Sequence, residues 1–339
     1  MGILDWFRKP ASTGPEHDQA ALREAIEQTV VDTDPRVRLV GGYQKRLAPA
    51  VAMTLGYARQ LVAQLPQAME LSVAAWSTHP GVRQAFATAE GVKVALSRST
   101  ELRSFFEQPE HGLASDACAL LVINLREVTR LGMGLEGDRV RADVLQRIVD
   151  LYGHRVVAPG SDESAVRNEL EKRVFKHVLT QALARLTEIG SRKLGLTQER
   201  ELLKTRFAYV RQRGQGLDAL LEPENRGPAE LQKLEQALAE NARQLGKLNT
   251  SGFEESLNVI RSSLSHPEEA LTLETQKIRV NPMNIIVESG SEEPSREFTP
   301  FVVTLRTDPP VTALVRLVRC SRTELISKQQ MLEDAKRFL

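Results

Sequence analysis

The stretch that decides the fold is residues 118–144, CALLVINLREVTRLGMGLEGDRVRADV. Residues 118–130 are dense in leucine, valine and isoleucine, which is typical of a β-strand. The glycine-rich stretch that follows predicts a turn over residues 131–138. Residues 139–144 then alternate apolar and polar side chains, which predicts a half-buried strand. The pattern therefore predicts a β-hairpin, with a helix through residues 119–131 as the alternative.

The chain after residue 265 returns to strand-like patterns. They lie in four stretches, residues 271–280, 284–288, 301–306 and 311–322. A two-stranded hairpin is only marginally stable by itself, so we expect the hairpin and these strands to join one sheet. Residues 148–157 predict one further short strand, and residues 328–339 predict a closing amphipathic helix.

Residues 16–115 are rich in helix-forming and small residues and predict a helical bundle. Pro49 is expected to kink or restart a helix in the first half of this region. Residues 67–76 predict a short helix, and Pro80 marks the first turn of the next one.

The segment between the hairpin and the C-terminal strands predicts the longest helices. An acidic start at Asp162 opens the first of them, and Gly190 is its predicted C-terminal cap. Apolar residues, mostly leucines, recur at heptad spacing over residues 196–221 and 231–248, on either side of a break that contains proline and glycine. This pattern predicts an antiparallel, coiled-coil-like helical hairpin that projects from the rest of the fold. Residues 253–264 predict a third helix.

The expected fold class is therefore α+β and predominantly helical. We expect five parts in order. They are an amphipathic tip with a linker (residues 1–15), a helical bundle domain (16–115), a β-hairpin region (116–160), a long helix with a helical hairpin (161–264), and a C-terminal β region with a terminal helix (265–339). If the β-hairpin and the C-terminal strands share a sheet, the helical hairpin is an excursion from one discontinuous domain.

The composition is typical of a helix-rich soluble protein, since 41% of the 339 residues are apolar and only 5% are aromatic. The 45 basic residues nearly balance the 44 acidic ones and no segment is a basic domain, so broad electrostatic capture of nucleic acid is not implied. No stretch approaches the roughly 18 consecutive apolar residues of a membrane span, and no secretory signal is recognised. The two cysteines, Cys118 and Cys320, fit a reducing compartment, so we expect a cytoplasmic location.

No local motif for catalysis, cofactor binding or metal binding is recognised. The six histidines form no HExxH pair or close ligand cluster, although His154 is the hardest of them to dismiss. Gly132, Gly134 and Gly137 match the spacing of a dinucleotide-binding loop, but a strand pattern rather than a helix follows them. We therefore predict no catalytic residue, no cofactor and no metal. An enzyme that lacks any recognisable local motif stays open as an alternative.

The first nine residues, MGILDWFRK, have the pattern of a short amphipathic helix. Its apolar side consists of Ile3, Leu4, Trp6 and Phe7, and it ends in the basic residues Arg8 and Lys9. Aromatic side chains beside basic ones are typical of a membrane interface, so this segment predicts peripheral contact with the inner face of a membrane. The alternative is that the segment docks on the rest of the protein or on a protein partner.

A second candidate contact is a basic stripe beside the heptad seam, within residues 192–213. The stripe consists of Lys193, Arg200, Lys204 and Arg211. Positions that flank a coiled-coil seam usually pair with acids, and Glu230 and Glu235 are available for such ion pairs. Ion pairing within the protein or between subunits is the first interpretation, and an anionic partner, either nucleic acid or lipid, is the alternative.

Together these features predict a non-catalytic cytoplasmic scaffold or adaptor. We expect it to self-associate, or to bind a protein partner, through its helices, and to touch an anionic membrane surface through its N-terminus. A nucleic-acid-associated protein that uses the basic stripe is the alternative.

Overall fold

The computed structural model describes residues 15–136, 139–213, 226–247, 252–281, 283–287 and 294–327, together with residue 330. It confirms the mixed fold class, because nine α-helices and a largely antiparallel sheet occur in these ranges. The chain divides into two compact units. The sheet unit contains the described parts of residues 54–176 and 266–339, and the helical unit contains those of residues 13–53 and 177–265.

The helices follow one another along the chain as α1 (Pro15–Asp32), α2 (Tyr43–Ala63), α3 (Val73–Thr78), α4 (Pro80–Ala85), α5 (Ala89–Arg98), α6 (Thr100–Glu107), α7 (Glu163–Arg213), α8 (Arg226–Lys247) and α9 (Gly252–Ser265). The strands are β1 (Met69–Leu71), β2 (Asp116–Glu136), β3 (Arg139–Gly160), β4 (Leu271–Thr275), β5 (Ile278–Val280), β6 (Arg296–Phe298), β7 (Phe301–Leu305) and β8 (Val311–Ser321).

The predicted β-hairpin is confirmed, and it is longer than the sequence indicates. Strands β2 and β3 pair antiparallel from Cys118, opposite Gly160, to Glu136, opposite Arg139. The helix that was the alternative for residues 119–131 is therefore wrong, and so is the turn expected to begin at residue 131. Cross-strand pairing outweighs the low strand propensity of the glycines, because each further pair adds backbone hydrogen bonds to an existing ladder.

The hairpin also shares a sheet with the C-terminal strands, as expected. The strand order is β3-β2-β8-β7-β4, and β8 pairs antiparallel with β2 from Asp116, opposite Ser321, to Asn124, opposite Ala313. Strands β5 and β6 form a separate two-stranded sheet, so the strand predicted over residues 271–280 is in fact two strands. The helix predicted for residues 328–339 lies outside the described residues, apart from position 330.

The helix predicted for residues 67–76 is partly wrong. Its first half is strand β1, which pairs parallel with β8 from Met69, opposite Val318, to Leu71, opposite Cys320. Helix α3 begins only after Ser72, whose hydroxyl accepts a hydrogen bond from the Ala75 amide. A tertiary contact with β8 therefore overrides local helix propensity over these three residues.

Two predicted helix breaks are absent from the structure. Gly190 lies inside α7, which runs without interruption from Glu163 to Arg213. A glycine inside a helix costs about 1 kcal/mol relative to alanine, and strong helix formers surround this one. Pro49 lies within α2, which continues through it, so the expected restart is wrong while the expected kink stays a prediction. A proline there removes one backbone hydrogen bond and does not end the helix.

One face of the sheet packs against α3–α6 and forms a buried core. Its members include Leu121, Ile123 and Val318 from the strands and Phe86, Leu96 and Phe106 from the helical side. Ser99 fixes the start of α6 in this core, because its Oγ accepts from the Leu102 amide at 3.0 Å and donates to the Val156 carbonyl oxygen at 2.5 Å. A single hydroxyl thus caps the helix and joins it to β3.

Within the helical unit, polar contacts join α2 to α1 and to α9. The Tyr43 hydroxyl donates to a Glu27 carboxylate oxygen at 2.6 Å, which links α2 to α1. Arg46 and Glu254 form an ion pair at 2.6 Å, which links α2 to α9. The predicted packing of residues 16–115 as a single bundle stays a prediction, because α1 and the first part of α2 belong to the helical unit while α3–α6 belong to the sheet unit.

A carboxylate–guanidinium pair ties the end of α2 to the start of α7 within the sheet unit. Arg167 donates to the carbonyl oxygens of Val62 at 2.7 Å and Leu65 at 2.8 Å, and to Glu163 at 2.6 Å. Glu163 in turn accepts from the Ala68 amide at 3.0 Å. These contacts satisfy carbonyl groups that the end of a helix leaves without partners.

Acid should loosen this connection. The hydrogen bond from the Ala68 amide, followed by that from Arg167, lowers the pKa of Glu163 below its ordinary value of 4.5. A depressed carboxyl pKa stabilises the fold above the unfolded pKa, and the stabilisation is lost as the pH falls through the folded pKa. We predict that Glu163→Gln lowers stability by about 1–2 kcal/mol at pH 7 and flattens its decline between pH 5 and pH 3.

The measurement is urea unfolding at several pH values, followed by tryptophan fluorescence in a Trp6→Phe background. Trp76 then reports on the sheet unit alone, since it is the only other tryptophan. Glu110→Gln is the matched control, because Glu110 is exposed. Equal pH dependence in both variants would contradict the assignment.

Candidate functional site

The amphipathic tip predicted to touch a membrane lies outside the described residues. This applies to Ile3, Leu4, Trp6, Phe7, Arg8 and Lys9. No helix in the described ranges combines the length and apolar character that a membrane crossing requires.

The predicted basic stripe lies along the second half of α7, in the helical unit. Its members are Lys193, Arg200, Lys204 and Arg211. Lys204 pairs with Glu201 of the same helix at 2.9 Å, and the neighbouring Arg206 pairs with Glu230 of α8 at 3.0 Å. The ion pair between α7 and α8 is of the kind that the first interpretation requires. Binding of an anionic partner to the stripe stays a prediction.

Helix α8 contacts this part of α7 through a partly polar seam. Leu234 and Leu245 are buried, and so is Asn241, whose Nδ2 donates to the Leu196 carbonyl oxygen at 3.0 Å and to Glu199 at 3.1 Å. A buried asparagine at such a seam selects one register of two helices at some cost in stability. The heptad packing and projection of this helix pair stay predictions.

A feature that the sequence analysis missed is the outer half of the β-hairpin. We call it the arm, and it consists of residues 125–136 of β2 and 139–151 of β3. It begins at a register shift between Val122 and Asn124, opposite Gly153, which has a φ of +64°. A β-bulge bends and twists a ribbon, and the pairing of β2 with β8 ends at Asn124, in the same place.

The arm carries large apolar side chains in water. Leu131 and Leu145 are directly opposite each other and are 68% and 71% exposed. Met133 follows on the same face of β2, two residues beyond Leu131, and is 74% exposed. Three neighbouring apolar side chains on one face of a thin ribbon form a patch of the kind that proteins use for association.

The face of the arm that carries this apolar patch is covered by other parts of the chain at the end of the arm nearest Asn124. Val149 is buried against Ile278 and Val280 of β5, and Leu125 and Leu151 pack against this cluster. The backbone of residues 284–286 also bonds to β3 there, as the Val149 amide donates to the Asn284 carbonyl oxygen at 2.9 Å. The apolar face is therefore covered at its base and open farther out.

Charged groups on the arm are largely paired with each other. Arg126 meets Asp150 across the two strands at 2.5 Å and lies 4.9 Å from the centre of the Tyr152 ring. The hydrogen bond and charge of Asp150 raise the pKa of Arg126. Arg147 forms an ion pair with Glu127 at 2.5 Å on the other face of the arm, which is the face that carries the patch. This ion pair gives the patch a polar neighbour without net charge, which suits contact with a neutral apolar surface.

The described residues contain no cluster of three or more metal-ligating side chains. The histidine that was hardest to dismiss, His154, has its Nε2 2.6 Å from the Ala85 carbonyl oxygen and its ring against Phe86, so it is part of the packing. Both cysteines are buried. Burial raises the pKa of Cys320 to about 12, which keeps it a protonated, unreactive thiol.

Comparisons with protein-family models, curated proteins and solved structures found no match for this chain.

The seam between α7 and α8 gives a test of what Asn241 does. Its Oδ1 is buried and has no hydrogen-bond partner within the described residues. We predict that Asn241→Leu raises the unfolding temperature of the helical unit by a few degrees, because it removes that buried unsatisfied group. Asn241→Asp should instead lower stability by about 3 kcal/mol, because its charge would face Glu199 in a buried position.

Thermal unfolding followed by circular dichroism at 222 nm measures both changes. Asn258 is the control position, since it also lies on a helix of the helical unit and is exposed. A destabilisation by Asn241→Leu similar to that by Asn241→Asp would show that the amide hydrogen bonds, rather than packing, hold the seam.

Proposed function

We propose that this protein is a self-associating scaffold and that the arm of one copy pairs with the arm of a second copy. The observation that carries the proposal is an open strand edge beside an exposed apolar patch on the same ribbon. The sequence analysis reached self-association from the helices, whereas the arm supports it through strands.

The open edge belongs to β2. Its inner part is bounded by β3 on one side and by β8 on the other, but β8 ends its pairing opposite Asn124. Over residues 125–136, no described strand pairs with that second edge. The amide and carbonyl groups of every second residue there point outward, and such an edge is a template for another strand.

A second copy fits this edge by symmetry. Two identical strands that pair antiparallel about a two-fold axis make the same contacts twice, which is the commonest form of a homodimer interface. A register centred on Leu131 brings the apolar faces of both arms to the same side of a continuous four-stranded sheet. Leu145, Leu131 and the same two residues of the second copy then form one row across it.

The energy of this contact suits a moderate, reversible dimer. Each arm contributes three apolar side chains, and side-by-side pairing buries them only in part, so each gives less than the roughly 1.5–3 kcal/mol of full burial. Association costs about 4–15 kcal/mol before any contact is counted. A two-stranded hairpin that extends beyond its sheet is only marginally stable, so pairing two such ribbons also stabilises each of them.

Membrane contact by residues 1–9 remains a separate part of the proposed function. A single short amphipathic segment binds a membrane weakly, and a dimer carries two. Self-association would therefore strengthen that contact through effective concentration.

A cysteine placed on the proposed two-fold axis tests the dimer directly. Directly opposite residues of antiparallel strands have Cα atoms about 4.5–5.5 Å apart, which a disulfide can span. We predict that Leu131→Cys forms a covalent dimer within minutes of mild oxidation at micromolar protein concentration, seen on a non-reducing gel. Cys118 and Cys320 do not interfere, because both are buried.

Leu113→Cys is the matched control, since Leu113 is fully exposed in the same unit but lies outside the arm. Light scattering of the reduced proteins gives the second readout. The wild type and Leu113→Lys should have the mass of a dimer, and Leu131→Lys with Leu145→Lys should have the mass of a monomer. Equal cross-linking rates for the two cysteine variants, together with a monomeric wild type, would overturn the proposal.

A further inference from the structure

The sheet unit contains a cavity at a gap along one edge of β8. The other edge of β8 pairs with β2 along most of its length, so β7 and β1 both lie on the same remaining edge. Strand β7 pairs as far as Val315, and β1 begins opposite Val318. No described strand therefore pairs with residues 316 and 317 on that side, and a cavity of about 200 Å³ lies beside Arg316.

Arg316 lines this cavity from the sheet. It lies directly opposite Leu121, whose side chain is in the core, and the rest of the lining is mainly apolar. The Nε of Arg316 is buried and has no hydrogen-bond partner in the described part of the chain. No described carboxylate forms an ion pair with it. Arg167, which is also half-buried in the sheet unit, in contrast pairs with Glu163 and donates to the Val62 carbonyl oxygen.

Arg316 is half-buried, and a buried donor such as its Nε is costly to the fold when it lacks a partner. Burial lowers the pKa of Arg316, and no neighbouring acid offsets that effect. An arginine nevertheless stays protonated in proteins, so the cavity holds a positive charge with at least one unused donor. The fork of donors on a guanidinium matches a carboxylate, which accepts two parallel hydrogen bonds.

Other polar side chains also line the cavity. One is His79, which accepts a hydrogen bond from the Gly81 amide on Nδ1 at 3.1 Å. Gln84 also lines the cavity, and no aspartate or glutamate does. The donors are therefore not opposed by any acidic group of the lining.

We propose that this cavity binds a small monocarboxylate with an apolar body, whose carboxylate pairs with Arg316 and whose body lies against the apolar walls. The cavity of about 200 Å³ is small, which suits a chain of roughly six to eight carbons. Apolar walls with a few convergent polar groups are the usual form of a small-molecule site. This inference is independent of the arm and of self-association.

The first experiment is isothermal titration of the wild-type protein with octanoate, 1-octanol and octylamine. The three probes share one apolar chain and differ in charge. We expect saturable binding of octanoate, with affinity at least tenfold above that of the alcohol and no measurable binding of the amine. Equal affinity for octanoate and octanol, or no binding of octanoate at millimolar concentration, would overturn the proposal.

The second experiment uses variants of Arg316, with Arg319→Met as the control. Arg319 lies on the same strand and is exposed. We expect Arg316→Met to lose at least tenfold in octanoate affinity and yet to have a higher unfolding temperature than the wild type. Arg316→Lys keeps the charge without the fork and should bind with intermediate affinity.

The combination of readouts separates a ligand site from a structural role. If Arg316 serves only to stabilise the fold, the Arg316→Met variant should have a lower unfolding temperature than the wild type. It should also bind octanoate with unchanged affinity. That outcome would overturn the proposal. If Arg316→Met failed to fold, the probe series on the wild type and the Arg316→Lys variant would still decide it.

Discussion

The constraint on which the sheet unit depends is the position of β8 between strands that come much earlier in the chain. One edge of β8 pairs with β2, and the other pairs with β7 and β1. Val318 and Cys320 are fully buried at this junction. The core under α3–α6 is built from the same strands, so it is complete only when the C-terminal strand is in place. Residues 177–265 are consequently an insertion between two parts of one sheet, which begins within the first third of α7 and ends with α9.

The cavity and the arm both arise where strand pairing stops. Among the described strands, none pairs with residues 316 and 317 of β8 between β7 and β1, and none pairs with the second edge of β2 over residues 125–136. In a sheet, an interrupted edge exposes backbone groups and opens space for side chains or ligands. The two proposed roles thus come from different interruptions of a single sheet, which is why they can be tested separately.

The sequence predicts elements whose side-chain pattern is periodic and fails where a tertiary contact decides. The alternation over residues 139–144 and the run over 118–130 are enough to predict the hairpin, and the need for a partner predicts the shared sheet. Strand β1 has only three residues, too few for a period, and exists because β8 is beside it. Gly190 and Gly132 look like breaks locally, but a long helix and a long ladder continue through them. The apolar patch of the arm had a signal in the alternation of Leu131 and Met133 with glycines. The cavity around Arg316 had no signal in the sequence. It is a gap between strands that are distant in the chain, and no local stretch of sequence has a pattern that predicts such a gap.

The order in which the ribosome makes the chain gives the central strand pairing a further consequence. Ser115 and Ser321 lie 206 residues apart and are hydrogen-bonded in the folded sheet unit. At about 5–20 residues per second, synthesis of the intervening segment takes on the order of 10–40 s. During that interval β2 can pair with β3 along one edge. Its other edge stays unpaired and its apolar face stays uncovered until β8 has been synthesised. The nascent protein therefore passes through a long period in which a strand that will be central is still an edge. High contact order of this kind slows folding and exposes the chain to mispairing with its neighbours on a polysome.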